Sequence, residues 1–179
     1  MMLSKYAEDL IFSKEVNIRK KYSNSELKLF NYFYEKTGGY FPENIIVLNQ
    51  FVFFFLNPQD YFFLSKYIHK IRKDFNSTKV LFIRNEEKLI KLLFSFFPDT
   101  YIHDIQIEWI ESSDERRLSV EKILISILFL SYEDRGIAVG KKGSYIHTVN
   151  KLFSEYIFIK NAECPIRIKC SLDQIQMAI

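Results

Sequence analysis

The run Asp134-Arg-Gly-Ile-Ala-Val-Gly-Lys-Lys-Gly-Ser-Tyr-Ile-His-Thr-Val-Asn-Lys-Leu-Phe153 holds three of the chain's five glycines, Gly136, Gly140 and Gly143. Gly140-Lys141-Lys142-Gly143 reads as a glycine-bounded turn opening onto a helix, because Ile146, Val149, Leu152, Phe153, Tyr156 and Ile157 recur at core-facing helical spacing. Unhindered amides and two cations at the positive end of a helix suit phosphate. The spacing excludes the nucleoside-triphosphate loop, which needs a glycine, four residues and then Gly-Lys-Ser/Thr. Only three residues separate Gly136 from Gly140, and Lys142 stands where a hydroxyl ligand for magnesium belongs. The dinucleotide fingerprint fails too, in its glycine spacing and in its later acidic residue. What remains is a GXXG loop, which clamps a short stretch of single-stranded nucleic acid by its backbone.

On the amino-terminal side, Glu86-Glu-Lys-Leu-Ile-Lys-Leu-Leu-Phe-Ser-Phe-Phe97 predicts a helix with Leu89, Ile90, Leu93, Phe96 and Phe97 on one face, stopped by Pro98. His103-Asp-Ile-Gln-Ile-Glu-Trp-Ile110 alternates as a half-buried strand should, with Ile105, Ile107 and Trp109 on one side. Ile123-Leu-Ile-Ser-Ile-Leu-Phe-Leu130 is almost wholly apolar and predicts a central strand, and the polar run Glu111-Ser-Ser-Asp-Glu-Arg-Arg117 a solvated hairpin loop before it. Beyond the glycine loop and its helix, Ile166, Ile168 and Cys170 alternate with Arg167 and Lys169 in a last strand, with Pro165 at its start.

From residue 85 to residue 172 this order resembles a KH domain of the second type. The third protein of the small ribosomal subunit has a similar strand, against Ile102-His-Asp-Ile-Gln-Ile-Glu108, and a similar loop, against Gly136-Ile-Ala-Val-Gly-Lys-Lys-Gly143. The RNA-binding half of Era-type GTPases is similar from the Glu-Lys-Leu-Ile-Lys-Leu-Leu helix through the loop. The transcription factor NusA is similar at Gly143-Ser-Tyr-Ile146 and Val149-Asn-Lys-Leu152. The resemblance implies an α+β fold whose type II KH domain runs helix, strand, strand, short helix, GXXG, helix, strand, with a three-stranded sheet and its helices on one face. The GTPase motifs of Era-type proteins are absent, so hydrolysis is not carried over.

The resemblance further implies a non-catalytic RNA-binding protein, first a small-subunit organellar ribosomal protein, and next an assembly or transcription factor of Era or NusA type. A degenerate KH scaffold for protein–protein contact is the remaining class. The residues expected at RNA are Arg135, Gly136, Gly140, Lys141, Lys142, Gly143, Ser144, Tyr145, Lys151, Arg167 and Lys169, with Ser144 also expected to cap the helix. Loop amides and the helix start would hold phosphates, while apolar side chains of the adjoining helix and strand support unstacked bases. His147 reads as a plain surface residue.

Composition sets the frame. The chain has 179 residues, 48% apolar content, 18 Phe and 11 Tyr, enough for a substantial core. A net charge of +3 is mildly basic, so an RNA site is expected to be local. The bias towards Phe, Tyr, Ile, Lys and Asn is what AT-rich codons produce and points to an organellar or reduced genome, so the expected location is a mitochondrial or other organellar matrix, or otherwise the cytoplasm. Early acidic residues and the lack of a long apolar run argue against a secretory or transit leader. Phe51-Val-Phe-Phe-Phe-Leu56 is too short to span a bilayer and reads as buried sheet. Cys164 and Cys170, six apart on one extended strand, are beyond disulfide reach, and neither they nor the three scattered histidines make a metal spacing. No cofactor, metal, membrane or small-molecule substrate is expected, and no carboxylate has a partnered His or nucleophile.

The first half predicts a helical arm at 1–40 and a strand-helix-strand extension at 41–84 before the KH-like segment at 85–179. Ser23-Asn-Ser-Glu26 reads as a helix cap, and Gly38-Gly39 as the stop. Asn44 to Leu56 reads as one long strand or two short ones, Asn57-Pro58 as a helix start, and Lys79-Val-Leu-Phe-Ile83 as a strand. Residues 37–44 are the expected hinge. Tyr6, Phe12, Tyr22, Tyr32, Tyr34 and Tyr40 are mostly core by their spacing; any left exposed would anchor neighbouring ribosomal proteins or ribosomal RNA.

Overall fold

The structure is a computed structural model that describes residues 13–111, 120–160 and 164–173. Tyr6, Phe12 and loop residues 112–117 lie outside the described residues. The chain is a mixed α+β protein that divides into two compact units, Ile18–Phe96 and a second drawn from Met1–Asn17 with Phe97–Ile179.

In the first unit, β2 (Asn44–Leu48) and β3 (Phe51–Leu56) form an antiparallel hairpin. Asn49, at φ 54°, turns the corner between them, a left-handed position that asparagine tolerates. The 44–56 segment is therefore two strands. From β3 the chain crosses over through α2 (Tyr61–Leu64), one 3-10 turn and α3 (Ile68–Asp74) to β4 (Lys79–Arg84), which pairs parallel with β3. A parallel partner requires such a crossover. Asn57 Oδ1 accepts from the Gln59 N–H at 2.9 Å at the start of that segment.

Every residue of β3 is buried, because helices cover both faces of the sheet. Val52, Phe54 and Leu56 join Phe33 of α1 (Asn24–Thr37), Leu64 of α2 and Ile71 of α3 in one cluster. On the opposite face Phe53 and Phe55 each lie 6.2 Å edge-on from Phe96 of α4 (Leu89–Phe96). Each fully buried phenylalanine contributes about 2–3 kcal/mol of transfer free energy, so these rings dominate the unit. They also explain why the observed division differs from the one expected at 40/41 and 84/85. Phe33 packs 5.0 Å from Phe54 and 5.6 Å from Phe82, which joins α1 to the sheet. Phe96 joins the helix expected to open the KH-like segment to the same sheet.

The Ser23-x-x-Glu26 signal also resolves differently. Ser23 is the N-cap of α1, but its hydroxyl donates to the Glu26 carboxylate and not back to the helix. Glu26, with no exposed surface, turns to the outer edge of β2 and accepts from the Val47 N–H at 3.1 Å. Lys21 Nζ lies 3.0 Å from the same carboxylate and donates to the Val47 carbonyl at 2.9 Å. The opposite edge, β4, is treated alike: Arg72 Nε donates to the Val80 carbonyl at 3.1 Å, and the Arg84 N–H donates to Ser95 Oγ at 2.6 Å.

The second unit is built on β5 (Asp104–Glu111), β6 (Val120–Phe129) and β8 (Ile166–Leu172), in the order β5-β6-β8. β5 runs antiparallel to β6 and β8 parallel to it. Register places Ile107, Ile125 and Ile168 in one cross-strand row, all buried. Between β6 and β8 come α5 (Tyr132–Val139), the GKKG turn, α6 (Ser144–Glu155) and β7 (Ile157–Ile159), which pairs with β1 (Val16–Ile18). Val149, Leu152 and Phe153 form the buried stripe of α6.

Candidate nucleic-acid interface

Ser131 and Asp134 fix the start of α5. The Ser131 hydroxyl accepts from the Asp134 N–H at 3.0 Å and donates to its carboxylate at 2.6 Å, and the carboxylate also accepts from the Tyr101 N–H at 3.0 Å. These bonds, from Ser131 first and Tyr101 second, hold the Asp134 carboxyl below its ordinary range. Aspartate at a helix start also answers the helix dipole.

The GKKG segment is a tight single turn. Gly140 has φ 74° and ψ 169°, Lys142 φ 53° and Gly143 φ 74°. A Cβ at Gly140 would stand 2.8 Å from Tyr145 Cβ and 3.0 Å from its backbone nitrogen, so only glycine fits there. The positive dihedrals fold the loop onto itself, so that part of the amide set expected to face a ligand is paired within the turn. The Gly140 N–H donates to Gly136 O at 2.9 Å, the Gly143 N–H to Gly140 O at 3.0 Å, and the Ser144 N–H to Lys141 O. Lys141 and Lys142 are both exposed.

Tyr145 and Ser144 are corrected as well. Tyr145 is only 8% exposed, packs edge-on against Phe97 at 6.0 Å, and has its phenol pushed well above the ordinary range by burial. It is core and has no face for a base. Gly143, not Ser144, is the N-cap of α6, and Ser144 Oγ is buried without a hydrogen-bond partner in the protein.

A groove of about 600 Å³ lies beside β8. Its walls are Arg135 and Val139 of α5, Ile146, His147 and Asn150 of α6, Arg167 to Cys170 of β8, and Ile110, Lys122 and Leu124 from the β5–β6 hairpin. Four cations, Lys122, Arg135, Arg167 and Lys169, therefore share one groove with an apolar floor. No carboxylate is among the described residues that line it. The strand alternation read from sequence produces this, since Ile166, Ile168 and Cys170 are buried while Arg167 and Lys169 are exposed.

Two side chains reach the free edge of β8. Asn150 Oδ1 accepts from the Ile168 N–H at 2.7 Å, and its Nδ2 donates to the Ile168 carbonyl and to the Ile146 carbonyl, each at 2.9 Å. Arg135 Nε donates to the Cys170 carbonyl at 3.3 Å. Burial pushes the Cys170 thiol up to about 12, against the opposing pull of Arg135, so it stays protonated at neutral pH. Cys164 and Cys170 are free thiols.

Of the residues singled out from sequence, Arg135, Arg167 and Lys169 meet in the groove. Lys151 does not line it and sits 3.9 Å from Glu155 on the same helix. Gly136 is exposed on α5. Sequence reasoning did not find Lys122, Leu124, Val139 or Asn150, and it read His147 as mere surface. Asn150 carried a signal: an amide next to the buried stripe of an amphipathic helix needs main-chain partners.

No family model matches this chain, and no curated protein matches it. Among solved structures it is similar to one described as the crystal structure of APE1850, with a TM-score of 0.54 and 18% identity over 83% of this chain and 100% of that one. At that identity the likeness concerns the fold. Among the described residues no helix is long and apolar enough to cross a membrane, and no group of His, Cys, Asp or Glu is placed to hold a metal ion.

Proposed function

We propose that the second unit is a KH module of the second type that binds single-stranded RNA without catalysis. We further propose that the chain serves in an organellar small ribosomal subunit. The observation that carries the RNA reading is the groove beside the GKKG turn, with four cations, an apolar floor and no lining carboxylate. Such a surface neutralises phosphates along a strand while base faces rest on aliphatic side chains. Support also comes from the succession strand, strand, helix, GKKG, helix, strand over β5 to β8, which, apart from the short β7 inserted before the last strand, is the order that the resemblance implies after its first helix. Lys141 and Lys142 extend the positive rim. The exposed rings Tyr34, Tyr40 and Phe41 of the first unit are then the contacts for neighbouring ribosomal proteins.

The test is fluorescence anisotropy with labelled single-stranded RNA. The full chain is expected to bind saturably, and the Lys141→Asp/Lys142→Asp double variant to bind at least about tenfold more weakly with an unchanged melting curve. Equal binding by parent and double variant sinks the loop's role; absence of binding by the parent sinks the RNA reading. Sedimentation with ribosomal subunits at high salt separates a resident component, which stays bound, from a transient assembly or transcription factor, which is released.

A further inference from the structure

We propose that Asn150 sets the selectivity of this groove and makes it a clamp for single-stranded RNA of any sequence. The inference rests on the single-stranded RNA reading above.

An open strand edge presents main-chain N–H and C=O groups that pair readily with an incoming donor and acceptor. The hydrogen-bonding edge of a nucleobase carries such groups, so a bare β8 edge in this groove would distinguish bases. Here that edge is taken. At Ile168 the N–H and the carbonyl are both bonded to the Asn150 side chain, at 2.7 and 2.9 Å. The second Asn150 proton goes to the Ile146 carbonyl at 2.9 Å, so the amide has no donor left over. Two residues on, the Cys170 carbonyl holds Arg135 Nε at 3.3 Å. Ile168, Cys170, Asn150 and Arg135 all line the groove.

A base that paired with Ile168 would have to displace the two bonds that Asn150 already makes there. With His147 the one remaining neutral side chain among the described residues that can meet a base edge, the rest of the lining is blind to base identity. Lys122, Arg167 and Lys169 meet phosphates, and Leu124, Val139 and Ile146 meet base faces.

Uracil and cytosine share ring size and differ in their hydrogen-bonding edge, so the test compares oligouridine and oligocytidine of equal length by anisotropy. The full-length parent is expected to bind the two within about threefold, and Asn150→Ala, which bares Ile168, to separate them by about fivefold or more. A parent preference beyond about threefold overturns the inference and leaves the RNA reading standing. So does a folded Asn150→Ala variant with the parent's ratio. Should Asn150→Ala fail to fold, the parent's ratio decides, together with Asn150→Asp, which keeps the acceptor for the Ile168 N–H and is expected to fall between the other two. Binding of neither oligomer by the parent removes the RNA reading and this inference with it.

Discussion

Glu26→Gln is the most searching perturbation of the first unit, because one buried carboxylate there holds a helix start, a lysine and a strand edge together. Its oxygens accept from the Ser23 hydroxyl, from the Val47 N–H at 3.1 Å and from Lys21 Nζ at 3.0 Å, and it has no exposed surface. The amide of glutamine keeps one acceptor but turns an NH₂ group towards another donor. Losing charge-assisted character at these bonds and leaving one donor unmatched costs about 2–3 kcal/mol, the low end for a buried pair because Lys21 can relax towards water. About 1 kcal/mol lowers the melting temperature of a unit this size by about 4–8 °C, so a fall of roughly 10 °C or more is expected.

The effect carries a pH signature. Burial pushes the Glu26 carboxyl up, but the bonds from Ser23, Lys21 and Val47 outweigh it and hold it below its ordinary 4.5. A carboxyl lowered on folding contributes stability that is fully present above its unfolded value and is lost as pH falls through the folded value. The gap between parent and variant should therefore be constant near neutrality and close below about pH 4.5. Circular dichroism melts at several pH values measure it. Equal melting at neutral pH, or a gap that persists undiminished in acid, would refute the reasoning.

Gly140→Ala should destabilise the second unit by about 2–3 kcal/mol through its dihedrals and the 2.8 Å approach to Tyr145 Cβ, as read from denaturant unfolding. Gly143→Ala, with the same φ of 74° but nothing within 4 Å of its Cβ, should cost only about 1–2 kcal/mol. Equal losses would mean that the Tyr145 contact is unimportant. Tyr145→Ala should cost about 3 kcal/mol or more in the same assay, as for other buried aromatics; a variant that melts normally and loses only RNA affinity would return this ring to the binding surface. The logarithmic salt dependence of RNA binding should flatten by about 0.7 for each loop lysine replaced by alanine, about 1.4 for both.

Much of the second unit was legible because its strands alternate cleanly. Ile166, Ile168 and Cys170 against Arg167 and Lys169 told both the buried and the exposed side. The apolar run of β3 told that the strand is buried sheet, but not what covers it. Phe96 could be read as apolar and helical, yet its packing on Phe53 and Phe55 depends on where the chain folds back, which periodicity does not encode. Tyr145 misled for the opposite reason: an aromatic residue just after a glycine loop reads as a flank of the RNA site until the turn's dihedrals aim it inward. The groove needed residues from separate elements, Lys122 from a hairpin and Asn150 from a helix, and spacing along the chain cannot bring those together.

Three of the outer strands described above end in a side chain's grasp: Glu26 and Lys21 on one, Arg72 and Ser95 on the next, Asn150 and Arg135 on the third. With 18 phenylalanines and a net charge of only +3, electrostatic repulsion gives this polypeptide little defence against sticking to its own copies. Amyloid-like templating needs vacant peptide groups to start from, and at these positions the growing fibre would find the docking points already filled.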